Sequence, residues 1–167
     1  MFYKSKIIFL LFSFSSCLIG QSKYSVDSNG TVELIKEHQY TKNHFFRNYI
    51  IDATFVDNLG NYGSNDVAVI AEYKNGTVSN LQWSSKLIYQ NNKIIYAKGV
   101  RKKGEDEAGV GKLVLFAGEK PLNILNDIEC DYAIKFFKNK SFTKFNCYIK
   151  NKNLNILQNL NQTHYQK

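Results

Sequence analysis

Residues 130–149 read CDYAIKFFKNKSFTKFNCYI, and this stretch decides the fold. Two runs that alternate apolar and polar residues flank Lys138-Asn139, the pattern of two antiparallel strands joined by a two-residue turn. With that turn, Cys130 lies directly opposite Cys147. The same register gathers the apolar side chains on one face, as a half-buried hairpin requires. That face comprises Cys130, Tyr132, Ile134, Phe136, Thr143, Phe145, Cys147 and Ile149.

The hairpin register predicts a disulfide between Cys130 and Cys147. Counting outward from the hydrogen-bonded pair Phe137/Lys140, the two cysteines occupy a non-hydrogen-bonded pair, where opposite Cα atoms approach closely enough for a disulfide. The third cysteine, Cys17, lies in the leader described next. Two cysteines therefore remain in the mature chain, and in an oxidising compartment they pair.

Residues 1–20 have the organisation of a secretory signal peptide. Lys4 and Lys6 precede an apolar run over residues 7–19, and Gly20 offers a small residue for cleavage. At about 1.5 Å per residue this run spans roughly 20 Å as a helix, less than the ~30 Å hydrocarbon core of a bilayer. We expect export to the periplasm, the cell envelope or the medium.

A second interpretation of the leader involves Cys17. The sequence Phe14-Ser15-Ser16-Cys17 resembles a loose bacterial lipobox, in which the cysteine is acylated and becomes the mature N-terminus. On this alternative the protein is a lipoprotein anchored through Cys17, which is the one way in which we expect it to be held at a membrane.

Residues 21–150 form one predicted all-β domain, and residues 151–167 a polar C-terminal tail that is either a short helix or disordered. Tyr, Phe, Ile, Val and Thr are abundant and the whole chain has one Pro, a composition typical of strands. Hairpin follows hairpin, which favours an antiparallel meander of about eight strands closed into a barrel; a two-sheet β-sandwich is the alternative. The predicted strands cover residues 31–39, 45–56, 64–73, 77–89, 93–101, 110–117, 128–137 and 141–150.

Two further turns set the register of the central strands. A three-residue loop at Lys74-Asn75-Gly76 places Val69 opposite Leu81 and Val67 opposite Trp83.

The next turn, taken as the two residues Asn91-Asn92, places Leu87 opposite Tyr96 and Trp83 opposite Val100. These registers direct both partners of each pair toward one apolar face.

A candidate ligand site follows from this register. Lys98 projects to the same face as Trp83 and Tyr96, with Tyr73 beside them. An ammonium group inside a barrel lined by aromatic rings can hold an anionic or carbonyl ligand. The alternative is that Lys98 lies near a barrel mouth and extends its charge into water.

Several function classes lack their signatures. The net charge is +8, but the densest basic segment, residues 98–103, runs directly into Glu105-Asp106-Glu107, which favours a solvated loop over a nucleic-acid surface. His38, His44 and His164 show no metal-ligand spacing, and no nucleophile or phosphate-binding motif occurs. We therefore expect no metal, no cofactor and no nucleic-acid partner.

Residues 57–63 (DNLGNYG) and 108–112 (AGVGK) together carry a resemblance. They are similar to segments of small exported bacterial proteins, largely of unknown function, that have calycin-like or allene-oxide-cyclase-like β-barrels. The resemblance covers residues 45–137. It implies a barrel fold and leaves the function open, because one barrel fold serves many functions.

Three functions remain for such a chain. The first is a non-enzymatic exported barrel that binds a small apolar or amphipathic ligand or a protein partner, since apolar side chains face inward from several strands. The second is an isomerase or cyclase, which requires a cavity with a titratable group beside Trp83. The third is a structural or inhibitory module, which requires an exposed apolar patch on the outer face.

Overall fold

A computed structural model describes residues 20–102, 104–105 and 108–160. Nine strands, one 3₁₀ helix and one α-helix follow one another in this part of the chain. They are β1 (Gln21–Thr41), β2 (His44–Asp57), β3 (Tyr62–Lys74), β4 (Thr77–Tyr89), β5 (Ile94–Arg101), β6 (Gly104–Glu105), β7 (Ala108–Phe116), the 3₁₀ helix Leu122–Leu125, β8 (Glu129–Phe137), β9 (Lys140–Lys150) and α1 (Asn151–Gln158).

Eight of these strands form a closed antiparallel barrel. Apart from the short strand β6, each strand pairs with the next one along the chain, so that β5 pairs with β7. The last strand, β9, pairs with β1 and closes the circuit. The two-residue strand β6 adds to the start of β4 outside this circuit. The predicted meander barrel is confirmed and the sandwich alternative is wrong, because every one of the eight strands has two hydrogen-bonded neighbours.

The β8–β9 hairpin has the predicted register. Phe137 pairs with Lys140 and Cys130 with Cys147. Lys138 has the positive φ of 55° that a tight two-residue turn requires at its first position. The cysteine Cα atoms are 4.3 Å apart and the disulfide is formed. Both cysteines are buried, so the bridge belongs to the barrel core.

Strand β1 begins ten residues before its predicted start. Residues 21–31 pair with β9 along their whole length and bury Tyr24, Val26 and Ser28. Ser, Asp, Asn and Gly are weak strand formers, and this segment is rich in them. Pairing with β9 overrides this local preference, because closing the barrel satisfies the backbone hydrogen bonds of both strands.

The predicted β3–β4 loop is wrong by one residue. Asn75 and Gly76, with φ of 52° and 75°, form a two-residue turn that pairs Lys74 with Thr77. The ladder then shifts between Glu72 and Tyr73, where β4 accommodates one extra residue as a bulge. Val69 consequently lies opposite Trp83 and Val67 opposite Ser85.

The predicted β4–β5 register is also wrong by one residue. Three residues, 90–92, separate Tyr89 from Lys93, whose carbonyl accepts the Tyr89 amide at 2.9 Å. Leu87 therefore pairs with Ile95, and Trp83 pairs with Gly99. Because a one-residue slip turns a whole strand over, the alternate residues of β5 exchange faces. Ile95, Ala97, Gly99 and Arg101 point inward, whereas Tyr96, Lys98 and Val100 point outward.

One end of the barrel is covered by helices, and we call it the helix end. Leu157 and Leu160, at and just after the end of α1, are buried against the barrel core, as are Leu122 and Leu125 of the 3₁₀ helix. The first part of the predicted C-terminal tail is thus a short helix over residues 151–158. Residues 161–167 of that tail lie outside the described residues. The opposite end, which carries the β1–β2 and β8–β9 turns, is the hairpin end.

A buried polar network joins the helix end to the barrel. Asp57 accepts hydrogen bonds from the Tyr24 hydroxyl at 3.0 Å and from the Asn61 side-chain amide at 2.8 Å. The Tyr24 hydroxyl has one proton, so the Tyr89 hydroxyl, 2.8 Å away, donates to it. Asn61 also donates to the carbonyl of Leu157 in α1. Asp57 therefore organises the turn between β2 and β3.

Removing the disulfide is expected to destabilise the barrel. The bridge closes a loop with a sequence separation of 17, and loops of this size correspond to roughly 3 kcal/mol through the lost entropy of the unfolded chain. A Cys130→Ala/Cys147→Ala variant should retain its β-sheet circular dichroism and lose about this free energy of unfolding in urea. An unchanged urea midpoint would contradict this account.

Alkaline pH is expected to destabilise the fold through the two buried tyrosines. Burial, followed by the neighbouring Tyr89 and then Asp57, raises the pKa of Tyr24 well above its usual value, and burial also raises the pKa of Tyr89. The folded state therefore keeps protons that the unfolded chain releases above about pH 10. The contribution of these two tyrosines to stability should be constant below that pH and fall above it, by at most about 1.4 kcal/mol per pH unit for each tyrosine.

Urea unfolding between pH 8 and pH 11 measures this slope. Tyr89→Phe removes one of the two buried hydroxyls and should reduce the slope. Tyr62→Phe is the matched control, because Tyr62 is exposed. Equal slopes of stability against pH in the two variants would contradict the assignment of this slope to the buried tyrosines.

Candidate functional site

The barrel interior contains a cavity between its two packed cores. The cavity measures about 60 Å³, taken as the space open to the centre of a water molecule. Leu113 and Phe145 belong to the core at the helix end and border the cavity from that side. Ile51 and Val69 belong to the core at the hairpin end and border it from the other. The wall is therefore mainly apolar.

Two large rings in the cavity wall lie over glycines of the neighbouring strands. A Cβ on Gly99 would lie 2.6 Å from the Trp83 indole, and a Cβ on Gly111 would lie 2.8 Å from the Tyr132 ring. The rings meet edge to face, with centroids 5.3 Å apart. The interior of an eight-stranded barrel is just wide enough for side chains, so the glycines provide the space that these rings need. Gly111 belongs to the 108–112 segment that carried the family resemblance.

Arg101 brings a positive charge to the cavity wall. Its side chain is 95% buried and crosses from β5 to β7, where Nη1 donates to the carbonyl of Ala108 at 3.2 Å. A Cβ on Gly109 would overlap the guanidinium, so this glycine makes room for Arg101. The register slip of β5 explains this inward position.

Asn65 brings a polar side chain to the cavity wall. It projects inward from β3 and is 93% buried. The strand between β1 and β3 carries the small Ala53 opposite Asn65, and across it Asn65 Nδ2 donates to Ser28 Oγ at 3.2 Å. That bond fixes the amide orientation. Among the residues that the structure describes, Oδ1 of Asn65 has no hydrogen-bond partner.

The cavity adjoins a groove on the surface at the hairpin end. Tyr49 and Phe136 line both spaces, and their rings meet edge to face with centroids 6.5 Å apart. The groove, which we call the outer groove, is lined by Val32, Leu34, Arg47, Tyr49, Tyr73, Phe136, Phe137 and Lys138. Movement of Tyr49 or Phe136 would connect the two spaces.

Charged groups at the hairpin end form a surface network. Arg47 pairs with Glu37 at 2.7 Å and lies over the Phe45 ring, 4.6 Å from its centroid. Hydrogen bonds, from His44 first and from Lys74 next, lower the pKa of Glu72.

The four predicted ligand residues are divided by the barrel wall. Trp83 lines the cavity, and the buried Tyr73 lies at the hairpin end against the outer groove. Lys98 and Tyr96 lie on the outer surface, which corrects the predicted interior cluster. The Lys98 ammonium lies over the Phe116 ring, 5.1 Å from its centroid, outside the barrel.

Sequence reasoning missed Asn65 and Arg101 as cavity residues. Arg101 was missed because the β4–β5 loop is one residue longer than expected. Asn65, Val67 and Val69 are alternate residues of β3 and so share its inward face. This alternation was the signal in the sequence that could have identified Asn65 as a cavity residue. A polar residue in an inward-facing series indicates either a satisfied core group or a ligand contact.

No family model, no curated protein and no solved structure matches this chain. Within residues 20–102, 104–105 and 108–160, no group of three or more His, Cys, Asp or Glu residues is arranged to hold a metal ion. The helices in these ranges are too short and too polar to cross a bilayer. The site and the fold define the molecule as an eight-stranded meander barrel with an interior cavity.

The ring-on-glycine arrangement is testable with Gly99→Ala. The added methyl group should displace the Trp83 indole and destabilise the barrel by about 1–3 kcal/mol, the usual cost of overpacking. Near-ultraviolet circular dichroism reports the indole directly, since Trp83 is the only tryptophan in the chain. Val110→Ala, at a residue that is 74% exposed, should change neither quantity. An unchanged Gly99→Ala spectrum would contradict the packing.

Proposed function

We propose that this protein is an exported binding barrel whose interior holds a small, mainly apolar molecule. The observation that carries the proposal is the cavity itself, bounded by apolar side chains at mid-barrel and containing an unpartnered buried acceptor. Apolar pockets with a few placed polar groups are the usual form of small-ligand sites. The cavity has room for roughly four to six water-sized groups.

Larger ligands would enter past Tyr49 and Phe136. These two rings separate the cavity from the outer groove, so their rotation adds space without changing the barrel. Lid-like side chains of this kind allow a ring-sized molecule to reach the Trp83 indole.

The isomerase or cyclase alternative finds less support. The described residues that line the cavity include no Asp, Glu, His, Lys or Cys, and their ionisable members are tyrosines and Arg101. General acid–base catalysis near neutral pH relies mostly on the missing types. Binding without chemistry is the better match.

Export is the second part of the proposal. The disulfide fits an oxidising compartment. The leader and Cys17 lie outside the described residues, so the choice between cleavage near Gly20 and lipidation of Cys17 stays a prediction. Kinship with the calycin-like exported barrels is likewise proposed, and the barrel topology supports it.

Toluene is a suitable probe for the binding function. Titration should shift the Trp83 indole ¹H–¹⁵N resonance in a saturable way. Ala97→Val, which adds two methyl groups at the cavity wall, should weaken toluene binding at least fivefold, because it takes up ligand space. It should also raise the free energy of unfolding by about 0.5–1 kcal/mol, as cavity filling commonly does.

Ala68→Val makes the same change on the outer surface and is the control. It should leave the toluene titration unaltered. The absence of any saturable shift in the wild-type protein, with toluene and with compounds retained in native mass spectrometry of protein from its own host, would overturn the proposal.

A further inference from the structure

The structure carries one more specific statement about the ligand, which rests on the proposed binding function. We infer that the molecule held in the cavity is a hydrogen-bond donor, a small apolar compound bearing a hydroxyl or N–H group that bonds to Asn65 Oδ1.

A hydrogen bond within the protein sets the orientation of the Asn65 side-chain amide. Its Nδ2 donates to Ser28 Oγ at 3.2 Å, so Oδ1 points away from Ser28 at the other end of the planar amide group. Ala53 on the intervening strand is small enough to let this contact form, and a Cβ on Gly30 would lie 2.6 Å from the Ala53 Cβ. Three adjacent strands thus fix one acceptor.

That acceptor is buried and unsatisfied within the described residues, and it belongs to a side chain that borders the cavity. A buried carbonyl oxygen without a donor is costly, and most such atoms in folded proteins have a partner. Polar groups retained at this cost are commonly functional.

The chemical character of the ligand that carries the donor follows from the other residues of the cavity wall. Val67, Trp83 and Leu113 offer apolar and aromatic surface, so the body of the ligand is apolar. Ser85 is buried opposite Val67 and lies diagonally across from Asn65. Its hydroxyl adds a second polar group to this part of the cavity wall. A phenol, an aniline or a small alicyclic alcohol has this distribution of polarity.

The closed polar network at the helix end provides a contrast. There, the oxygens of Asp57 accept from Tyr24 and Asn61, and the network is complete without a ligand. At Asn65 the protein supplies the hydrogen-bond acceptor, and the ligand supplies the donor.

Phenol and toluene test the inference, because they have the same number of non-hydrogen atoms and differ in one hydroxyl group. Phenol should bind the wild-type protein about three- to tenfold more tightly than toluene, the difference expected for one net hydrogen bond. The Trp83 indole resonance reports both titrations. Aniline, a second donor, should share the preference, whereas anisole, which lacks a donor, should not.

Two variants locate the preference. Asn65→Leu should abolish or reverse the preference for phenol over toluene, because it removes the acceptor and leaves a buried phenol hydroxyl without a partner. Asn146→Leu is the matched control: Asn146 also has a buried Oδ1 without a partner among the described residues, but it does not line the cavity. The preference should survive in this variant.

The outcomes separate the two proposals. Saturable binding of both compounds with equal affinity would overturn the donor inference and leave the binding function standing, as expected if bound water alone satisfies Asn65. A preference that persists in Asn65→Leu would also overturn it. Failure of all four compounds would overturn both proposals. The comparison of phenol, toluene, aniline and anisole on the wild-type protein decides the question even if Asn65→Leu does not fold.

Discussion

Closure of the barrel by the pairing of β1 with β9 is the constraint on which the rest of the structure depends. Residues 21–31 pair with residues 140–150 without a break, and this seam leaves none of the eight strands with a free edge over that length. In a closed barrel every second residue must point inward. Register therefore decides which side chains share the interior, and a slip of one residue exchanges the contents of the barrel with its surface.

The interior is filled by matching large side chains to glycines on neighbouring strands. Trp83 lies over Gly99, Tyr132 over Gly111 and Arg101 over Gly109. This packing leaves a space at mid-barrel that the two cores do not close. The cavity is thus a consequence of where the rings and the glycines meet around the barrel. Trp83, the single tryptophan of the chain, is part of the cavity wall.

Two buried polar clusters have different relations to the fold. The Tyr24–Tyr89–Asp57 cluster is bonded internally and is tied to α1 through Asn61, so it stabilises the helix end. The Asn65 side chain borders the cavity, and within the part of the chain that the structure describes its amide is hydrogen-bonded through Nδ2 only. The first cluster holds the turn between β2 and β3 in place, and the second is a polar feature of the cavity wall.

The sequence by itself determined the all-β class, the β8–β9 register and the Cys130–Cys147 disulfide, because that hairpin has a two-residue turn and period-two patterning that agree. It favoured a barrel over a sandwich, and the pairing of β1 with β9 decided between them. The sequence could not determine the β4–β5 register, since a three-residue loop at residues 90–92 reads almost like a two-residue turn at Asn91-Asn92. Only the tertiary structure placed Arg101 inside and Lys98 outside. The physical reason is that barrel closure makes the facing of each strand depend on all its neighbours, whereas local patterning specifies only the side chains within one strand.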